Sequence, residues 1–369
     1  MKGVDNRMAE LLKDMYTRDM LHKLTLATRE VYAPFKADEF LDSIFDETWD
    51  RLEFKARGRQ ITENLGKYLP SDYKEAIGII DKVIENYGAE EMFCWFFVEF
   101  VELYGQDEEN WDISIPAMER YTQYASAEFA VRPFIISHEK RMMAQMYAWA
   151  KHENENVRRL ASEGCRPALP WAQSLPKYKK DPTPILPILE ELKTDSSEFV
   201  RRSVANNLND ISKTHPELVA NLAKKWYGKS PLTDWVVKHG CRTLLKKGNR
   251  EVLAIFGFDD AAAIDVWDFD IETPTIAIGE DFIFSFTVLA KKATKVRLEY
   301  GIDYVKSGGK RNRKIFQISE LSFSENQKKP YTKKHSFADV STRKHYPGVH
   351  SVTLIVNGAE RGTLDFEVR

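Results

Sequence analysis

Glu163 and Asp210 are the side chains of this 369-residue chain whose type and placement best suit chemistry, and Trp171 stands near the first of them. In VRRLASEGCRPALPW, Val157 to Trp171, a helical step of about 100° per residue puts Val157, Leu160, Ala161 and Gly164 on one side. Arg159, Glu163 and Arg166 fall together on the other. Pro167 and Pro170 lack an N–H and disfavour a helical residue before them, so the helix stops and Trp171 is delivered on an irregular segment. When a second stretch, FVRRSVANNLNDIS, is aligned with the first on Val200 and Val157, Glu163 comes six residues after its anchor and Asp210 ten after its own. Those offsets differ by only about 40° around a helix. The two carboxylates therefore point to one side, flanked by Arg159, Arg166, Arg202 and Lys213.

A groove with basic walls and a few central carboxylates suits a ligand that is anionic along its length and locally cationic. DNA carrying a positively charged alkylated base has that charge pattern. The same residues admit a structural reading. Helix-face carboxylates commonly neutralise their Arg neighbours, paired arginines commonly make a solvated face, and a Trp after a Pro-rich bend can plug a core edge.

The elements that must hold these groups are helical over most of the chain. From Met8 to about Tyr104, MAELLKDMYTRDMLHKLTLATREVY, DEFLDSIFDETWDRLEFKARGRQITENLGKYL and DYKEAIGIIDKVIENYG show apolar residues at three- and four-residue steps. MFCWFFVEFVELYG, Met92 to Gly105, is apolar on almost every side and predicts a central buried helix. Four helix pairs follow, and their second members are marked by Val131-Arg132, Val157-Arg158, Val200-Arg201 and Val237-Lys238. The anchors are 26, 43 and 37 residues apart, centred on the length of a two-helix solenoid repeat. The longest interval carries the Pro-rich insertion with Trp171. Stacked pairs would line one concave surface with their second helices.

The helical signal ends near Phe256. Period-two segments follow: FIFSFTVLA, KVRLEYGIDYV, KIFQIS, HSFADV, HSVTLIVNG and GTLDFEVR. NGAER, Asn357 to Arg361, reads as a hairpin of the longer-loop kind. The expected fold class is multidomain, α then β: a HEAT-like helical solenoid over 1–258, a linker over 259–272, and a small immunoglobulin-like β-sandwich over 273–369 without the Cys pair.

Composition sets further bounds. A hydrophobic content of 43% describes a folded protein, and the formal charge of −2 hides a local excess. Residues 291–345 hold fifteen Lys/Arg against five Asp/Glu, with Lys310, Arg311, Arg313 and Lys314 in a stretch that reads as a loop, as does ENQKKPYTKK. Cys94, Cys165 and Cys241 are odd in number and lack CxxC spacing, so buried thiols in a reducing compartment are expected. With a charged amphipathic start and no apolar run near the ~18 residues of a membrane span, the expectation is a cytoplasmic protein of the bacterial cytosol and nucleoid, with no membrane partner.

EFAVRPFI, RRLASEGCRPALPW and FVRRSVANNLNDISK resemble the motifs of the HEAT-like repeat DNA glycosylases, the AlkC/AlkD superfamily. The ASEG-RP-LPW form is similar to the AlkC branch with a C-terminal immunoglobulin-like domain. The resemblance implies base excision repair: hydrolysis of the N-glycosidic bond of cationic bases, 3-methyladenine and 3-methylcytosine, in double-stranded DNA without deep base flipping. It places Glu163, Trp171, Asp210 and Glu128 at active-site positions, although Glu128, three residues before Val131, falls off the carboxylate stripe. Ala168 departs from the basic residue of many relatives. The resemblance further implies that Lys310, Arg311, Arg313 and Lys314 contact DNA when the sandwich domain closes around it. A monomer is expected.

The chemistry agrees with this. A base methylated to a cation is already a good leaving group, so no general acid need protonate it. The demand falls on the deoxyribose, whose oxocarbenium character a nearby carboxylate stabilises while orienting or deprotonating water. Trp171 can stack on sugar or base, with cation–π attraction favouring the alkylated form. The scattered His residues and carboxylates make no ligand box, so neither metal nor cofactor is expected. The main competitor is a non-catalytic HEAT-repeat scaffold that binds DNA or protein. A carbohydrate-active enzyme using Glu163 and Asp210 as its acid/base pair fits the Arg-rich groove poorly.

Overall fold

In the computed structural model the residues described are 12–87, 95–340 and 343–369. The chain divides into two compact units, residues 1–214 and 215–369.

The first unit is helical: α1 (Arg18–Val31), α2 (Ala37–Ile44), α3 (Phe54–Tyr68), α4 (Tyr73–Tyr87), α5 (Trp95–Tyr104), α6 (Trp111–Tyr121), α7 (Val131–Ser137), α8 (Glu139–Trp149), α9 (Glu155–Glu163), α10 (Pro176–Lys180), α11 (Leu186–Leu192) and α12 (Glu198–Ile211). The pattern from Asp38 to Leu69 splits into α2 and α3. Asp46 turns the chain between them by accepting hydrogen bonds from the Thr48 amide at 2.8 Å and the Thr48 hydroxyl at 2.6 Å, a local alternative to helical bonding. α5 buries Phe96, Phe97, Val98, Phe100 and Val101 as its sequence predicts. Its Trp95, Glu99 and Glu102, however, line a cleft. The Met92–Cys94 part of that segment lies outside the described residues, as does the start of the chain to Leu11.

α9 and α12 lie side by side. Val157, Leu160 and Ala161 are buried with Val200, Val204 and Ala205, and the Asn207 amide donates to the Ser162 carbonyl at 2.8 Å. Asn154 caps α9 through the Asn156 amide. At Gly164 there is no room for a side chain, since a Cβ would come within 2.6 Å of Val131 Cγ2 and 2.9 Å of Met146 Cε. Cys165 is fully buried beside it, and burial pushes its thiol up to about 12.

The second unit begins with α13 (Pro216–Trp226), α14 (Pro231–Gly240), α15 (Arg242–Lys246) and α16 (Arg250–Ile255). Val237 sits well inside α14 instead of near its start. Ser230 caps the helix earlier by accepting from the Thr233 amide, with Pro231 in the first turn. Cys241 is buried, and its thiol too is raised to about 12 by burial.

Among the described residues eight strands follow: β1 (Ile264–Ile271), β2 (Thr275–Ile276), β3 (Asp281–Ala290), β4 (Thr294–Val305), β5 (Arg311–Phe323), β6 (Lys328–Ser336), β7 (Gly348–Val356) and β8 (Ala359–Val368). They make a three-stranded sheet, β1-β3-β6, and a five-stranded sheet, β2-β8-β7-β4-β5. Alternate residues of β3, Phe282, Phe284 and Phe286, turn into the core, where Phe282 stacks on Phe366 of the other sheet at 3.8 Å. Outward on β4, Arg297 and Glu299 are nonetheless buried and pair at 2.5 Å. Glu320 joins them and also binds Lys238 of α14 at 2.8 Å, so helices and sheet of this unit share one ion-pair network.

Three expectations are corrected here. The stretch read as a linker, 259–272, contains β1, whose IDVWDFDI pairs antiparallel with β3 despite its acidic outward positions. The hairpin at Asn357 is not a long loop. Asn357 and Gly358 take φ of +48° and +75° and Val356 pairs with Ala359, the tight two-residue turn that Asn-Gly favours. The basic stretches are largely strand: only the turn at Lys306–Lys310 precedes β5, and ENQKKPYTKK runs into β6.

A histidine sits in the core of this sandwich. His335 is bonded through Nδ1 to the Tyr300 hydroxyl at 2.8 Å and through Nε2 to the Tyr304 hydroxyl at 2.7 Å. Burial, reinforced by Arg343, pushes it down to about 4. The unfolded chain takes up this proton near pH 6.5 and the folded chain only near 4, so the stability is complete above 6.5 and drains away as pH falls toward 4. His345 and His350 are shifted the same way by burial. His335→Gln should therefore make urea-unfolding stability fall less steeply between pH 6.5 and 4.5, by on the order of 2 kcal/mol across that window. An unchanged slope would mean that His335 is already charged in the folded protein.

Candidate active site

The carboxylates that the sequence aligns are brought together by a guanidinium. Arg166 donates from Nη1 to Glu163 Oε1 at 2.6 Å and from Nε to Asp210 Oδ2 at 2.9 Å. All three residues are at least 93% buried. α9 ends at Glu163, and the Arg166 amide bonds back to the Glu163 carbonyl, so the turn folds Arg166 over its own helix and toward α12. Burial alone would lower the Arg166 pKa, but the two carboxylates outweigh it and hold the group above its ordinary value. The remaining oxygens are also held: Ser203 Oγ donates to Glu163 Oε2 at 2.5 Å, and Lys213 Nζ to Asp210 Oδ1 at 2.9 Å.

Glu128 joins the same cluster through Arg159. Arg159 Nη1 lies 2.6 Å from Glu128 Oε2, and its Nη2 lies 3.7 Å from Glu163 Oε1. Ser126 accepts from Arg159 and donates to Glu128, and the face of Phe199 supports the guanidinium at 4.7 Å. Glu128 is off the helical stripe because it precedes α7, yet the chain entering that helix carries it to Arg159. The cluster thus holds three carboxylates, Glu128, Glu163 and Asp210, against Arg159, Arg166 and Lys213.

Two of the expected basic walls are placed differently. Arg166 is inside the cluster, where the carboxylates occupy the N–H groups it would offer a phosphate. Arg202 is on the surface, paired with Glu198 one turn before it on α12 at 2.5 Å. Arg313, expected in a loop, is a strand residue that binds Asp303 through Nε at 2.9 Å and Nη2 at 2.8 Å and also reaches Glu360 at 2.5 Å. Arg311 bonds Ser351 at 2.7 Å. Lys310 and Lys314 are exposed.

Trp171 is 67% exposed, so it does not plug a core edge. Its φ of +63° is uncommon for a bulky residue and costs on the order of 1–3 kcal/mol unless the surroundings enforce it. The surroundings do so from both sides. Lys55 donates to the Trp171 carbonyl at 2.9 Å. Behind the segment, Arg132 is 1% exposed and gives its guanidinium to three carbonyls: Gly164 at 2.8 Å, Arg166 at 3.0 Å and Gln173 at 2.5 Å.

Arg132 was visible in sequence only as the partner of an anchor Val. The first Arg of each VRR serves in a similar way: Arg158 bonds the His152 and Glu153 carbonyls, and Arg201 those of Asp195 and Ser196. Only the second Arg of the pair turns outward from these anchoring bonds, which is why the motif alone does not tell a site residue from a brace. Ser203 had a weak signal, seven residues before Asp210 and so two turns away on one face of α12.

A family model described as DNA alkylation repair enzyme matches residues 59–244, and one described as the C-terminal Ig-like domain of uncharacterised protein YhaZ matches residues 265–369. The chain is 46% identical over 357 residues to the Uncharacterized protein YhaZ of Bacillus subtilis (strain 168), covering 97% of this chain and 99% of that one. The fold superposes with a TM-score of 0.92 on Pseudomonas fluorescens alkylpurine DNA glycosylase AlkC bound to DNA containing an abasic site analog. That match is 34% identical and covers 97% of this chain and 99% of the other.

The brace is open to test on its own. Arg132→Lys keeps the charge but cannot reach three diverging carbonyls. Leaving buried acceptors unpaired should cost about 2–4 kcal/mol in urea unfolding. A loss below about 0.5 kcal/mol would show that the three bonds do not hold the Trp171 segment.

Proposed function

The chain belongs to the DNA alkylation repair enzyme family, and from that premise we propose that it is a DNA glycosylase. It hydrolyses the N-glycosidic bond of cationic alkylated bases, 3-methyladenine and 3-methylcytosine, in double-stranded DNA, acting as a monomer in base excision repair. The observation that supports this most is the Glu163–Arg166–Asp210 bridge, with an exposed Trp171 five residues beyond Arg166 on a segment braced by Arg132.

The alkylated base leaves with the electrons of the C1′–N bond and becomes neutral, so no proton donor, metal or cofactor is needed to draw it off. Positive charge passes to the deoxyribose, and the carboxylates stabilise it there. Of the four carboxylate oxygens in the bridge, Asp210 Oδ1 is the one bonded to a half-exposed partner, Lys213, whose side chain is 48% accessible. A DNA phosphate draws the Lys213 ammonium away and leaves Oδ1 to face the sugar or accept a proton from the attacking water. Glu163, with both oxygens held by Arg166 and Ser203, keeps Arg166 in place and adds negative field. Glu128 and Arg159 form the adjoining wall, and Arg202 supplies a backbone contact. Trp171 stacks on the cationic nucleotide.

Asp210→Asn and Glu163→Gln preserve volume and should lower single-turnover release of 3-methyladenine about 10²–10³-fold. Binding to an uncleavable abasic mimic should change far less. In the same assay Trp171→Ala should reduce release by roughly 1–2 kcal/mol of transition-state stabilisation. Stoichiometric binding of methylated DNA with no base release by the natural protein would identify a scaffold instead.

In the strand-rich unit, Lys310 and Lys314 are proposed to contact phosphates, with Arg311 beside them. Arg313 adds its charge while tied to Asp303 and Glu360. The double substitution Lys310→Ser, Lys314→Ser should make the slope of log affinity against log salt shallower by about 2 and leave the thermal transition in place. Arg313→Ser, by contrast, should lower that transition. A salt slope equal to that of the natural protein would remove these lysines from the DNA interface.

A further inference from the structure

The helical unit holds a cleft of about 220 Å³ that the reaction above does not use. Its walls are aromatic. Tyr16 stacks on Phe54 at 5.3 Å, Phe54 lies 5.1 Å from Trp95, and Trp95 stacks on Phe129 at 5.1 Å with 26° between the ring planes. The volume falls below the roughly 300–1,000 Å³ of sites for drug-sized ligands and suits a single planar ring system. Gly58 keeps the space open, since a Cβ there would stand 3.1 Å from the Tyr16 hydroxyl and 3.5 Å from Glu99 Oε2.

One side of the cleft is polar. Glu99 and Glu102 line it with side chains 16% and 24% accessible, and Arg59 reaches them at 2.9 and 3.6 Å. Burial raises the Glu99 carboxyl to about 6, so near neutral pH it is mainly ionised and accepts hydrogen bonds, one from Arg59 and one from Thr62. A purely aromatic slot would take any flat ring. Two carboxyl groups at its edge favour a ring that carries N–H donors. The cleft also adjoins the candidate active site. Phe129 directly follows Glu128, and the Lys55 ammonium lies 4.5 Å from the centre of the Phe129 ring while it binds the Trp171 carbonyl.

We propose that this cleft is a nucleobase site: a planar nitrogen heterocycle packs against the wall formed by Phe54, Trp95 and Phe129 and directs its N–H edge to Glu99 and Glu102. The proposal rests on the glycosylase reading, which brings two sources of such a ring next to the cleft. One is the excised base and the other is a base of the bound DNA that has lost its stacking partner.

The test uses full-length protein and 2-aminopurine, whose fluorescence reports stacking, in two forms: the free base, and a duplex carrying it next to or opposite an abasic-site analogue. A saturable fluorescence change is expected in at least one form, weakened at least tenfold by Glu102→Gln and by Trp95→Leu. Retained circular dichroism and thermal transition show which variants are folded, and Glu102→Gln alone decides the matter if Trp95→Leu is not. A response to the free base assigns a product site, and a response only in the duplex assigns a site for an unstacked DNA base. Absence of both responses, or responses that Glu102→Gln leaves unchanged, overturns the proposal. Release of 3-methyladenine from methylated DNA is measured on the same preparations. Release without any 2-aminopurine response removes the cleft and keeps the glycosylase. Response to the free base without release removes the glycosylase and keeps a heterocycle site.

Discussion

A guanidinium out of contact with water must find an acceptor for its N–H groups inside the protein, and the helical unit depends on two that do. Arg166 is bound by Glu163 and Asp210, and Arg132 by three backbone carbonyls of the segment that follows α9. The first fixes two carboxylates from different helices at one place. The second fixes the backbone that leads from those carboxylates to Trp171. Removing either cation would leave buried acceptors unpaired, so the charge cluster and the loop are held by the same physical requirement.

That requirement also shapes the electrostatics. Three carboxylates gathered without cations would repel one another, whereas here each has a basic partner within hydrogen-bonding reach. The partners differ in how firmly they are placed. Arg166 is enclosed, Arg159 is partly enclosed against Phe199, and Lys213 reaches in from the surface. A polyanion that competes for cations would displace the last of them first.

Much of this was legible in the sequence, for reasons that particular residues make clear. The 3.6-residue period and the Val anchors located α9 and α12 and placed Glu163 and Asp210 on a common side. The prolines announced the irregular segment with Trp171. Periodicity does not report what a long side chain reaches, so Arg166 looked like a groove wall when it is a bridge. It also says nothing of residues outside helices, which is why Glu128 appeared misplaced. In the strand-rich unit, runs of Lys and Arg read as loops because charge resembles solvent exposure. β5 and β6 carry such residues as strand, with some paired across the sheet, as Arg313 is with Asp303 and Lys334 with Asp281. The acidic outward positions of β1 concealed a strand in the same way.

The enclosure of Cys165 has a bearing on how a member of a DNA alkylation repair family withstands alkylating agents. Methylating agents are electrophiles, and the form of cysteine they attack is the thiolate. With its thiol pushed up to about 12 and its Sγ donating to the Ala161 carbonyl at 3.2 Å, Cys165 holds its proton at physiological pH and is shut away from small reagents. Cys241 is protected in the same way. A nucleophile two residues from Glu163 is thereby kept inert.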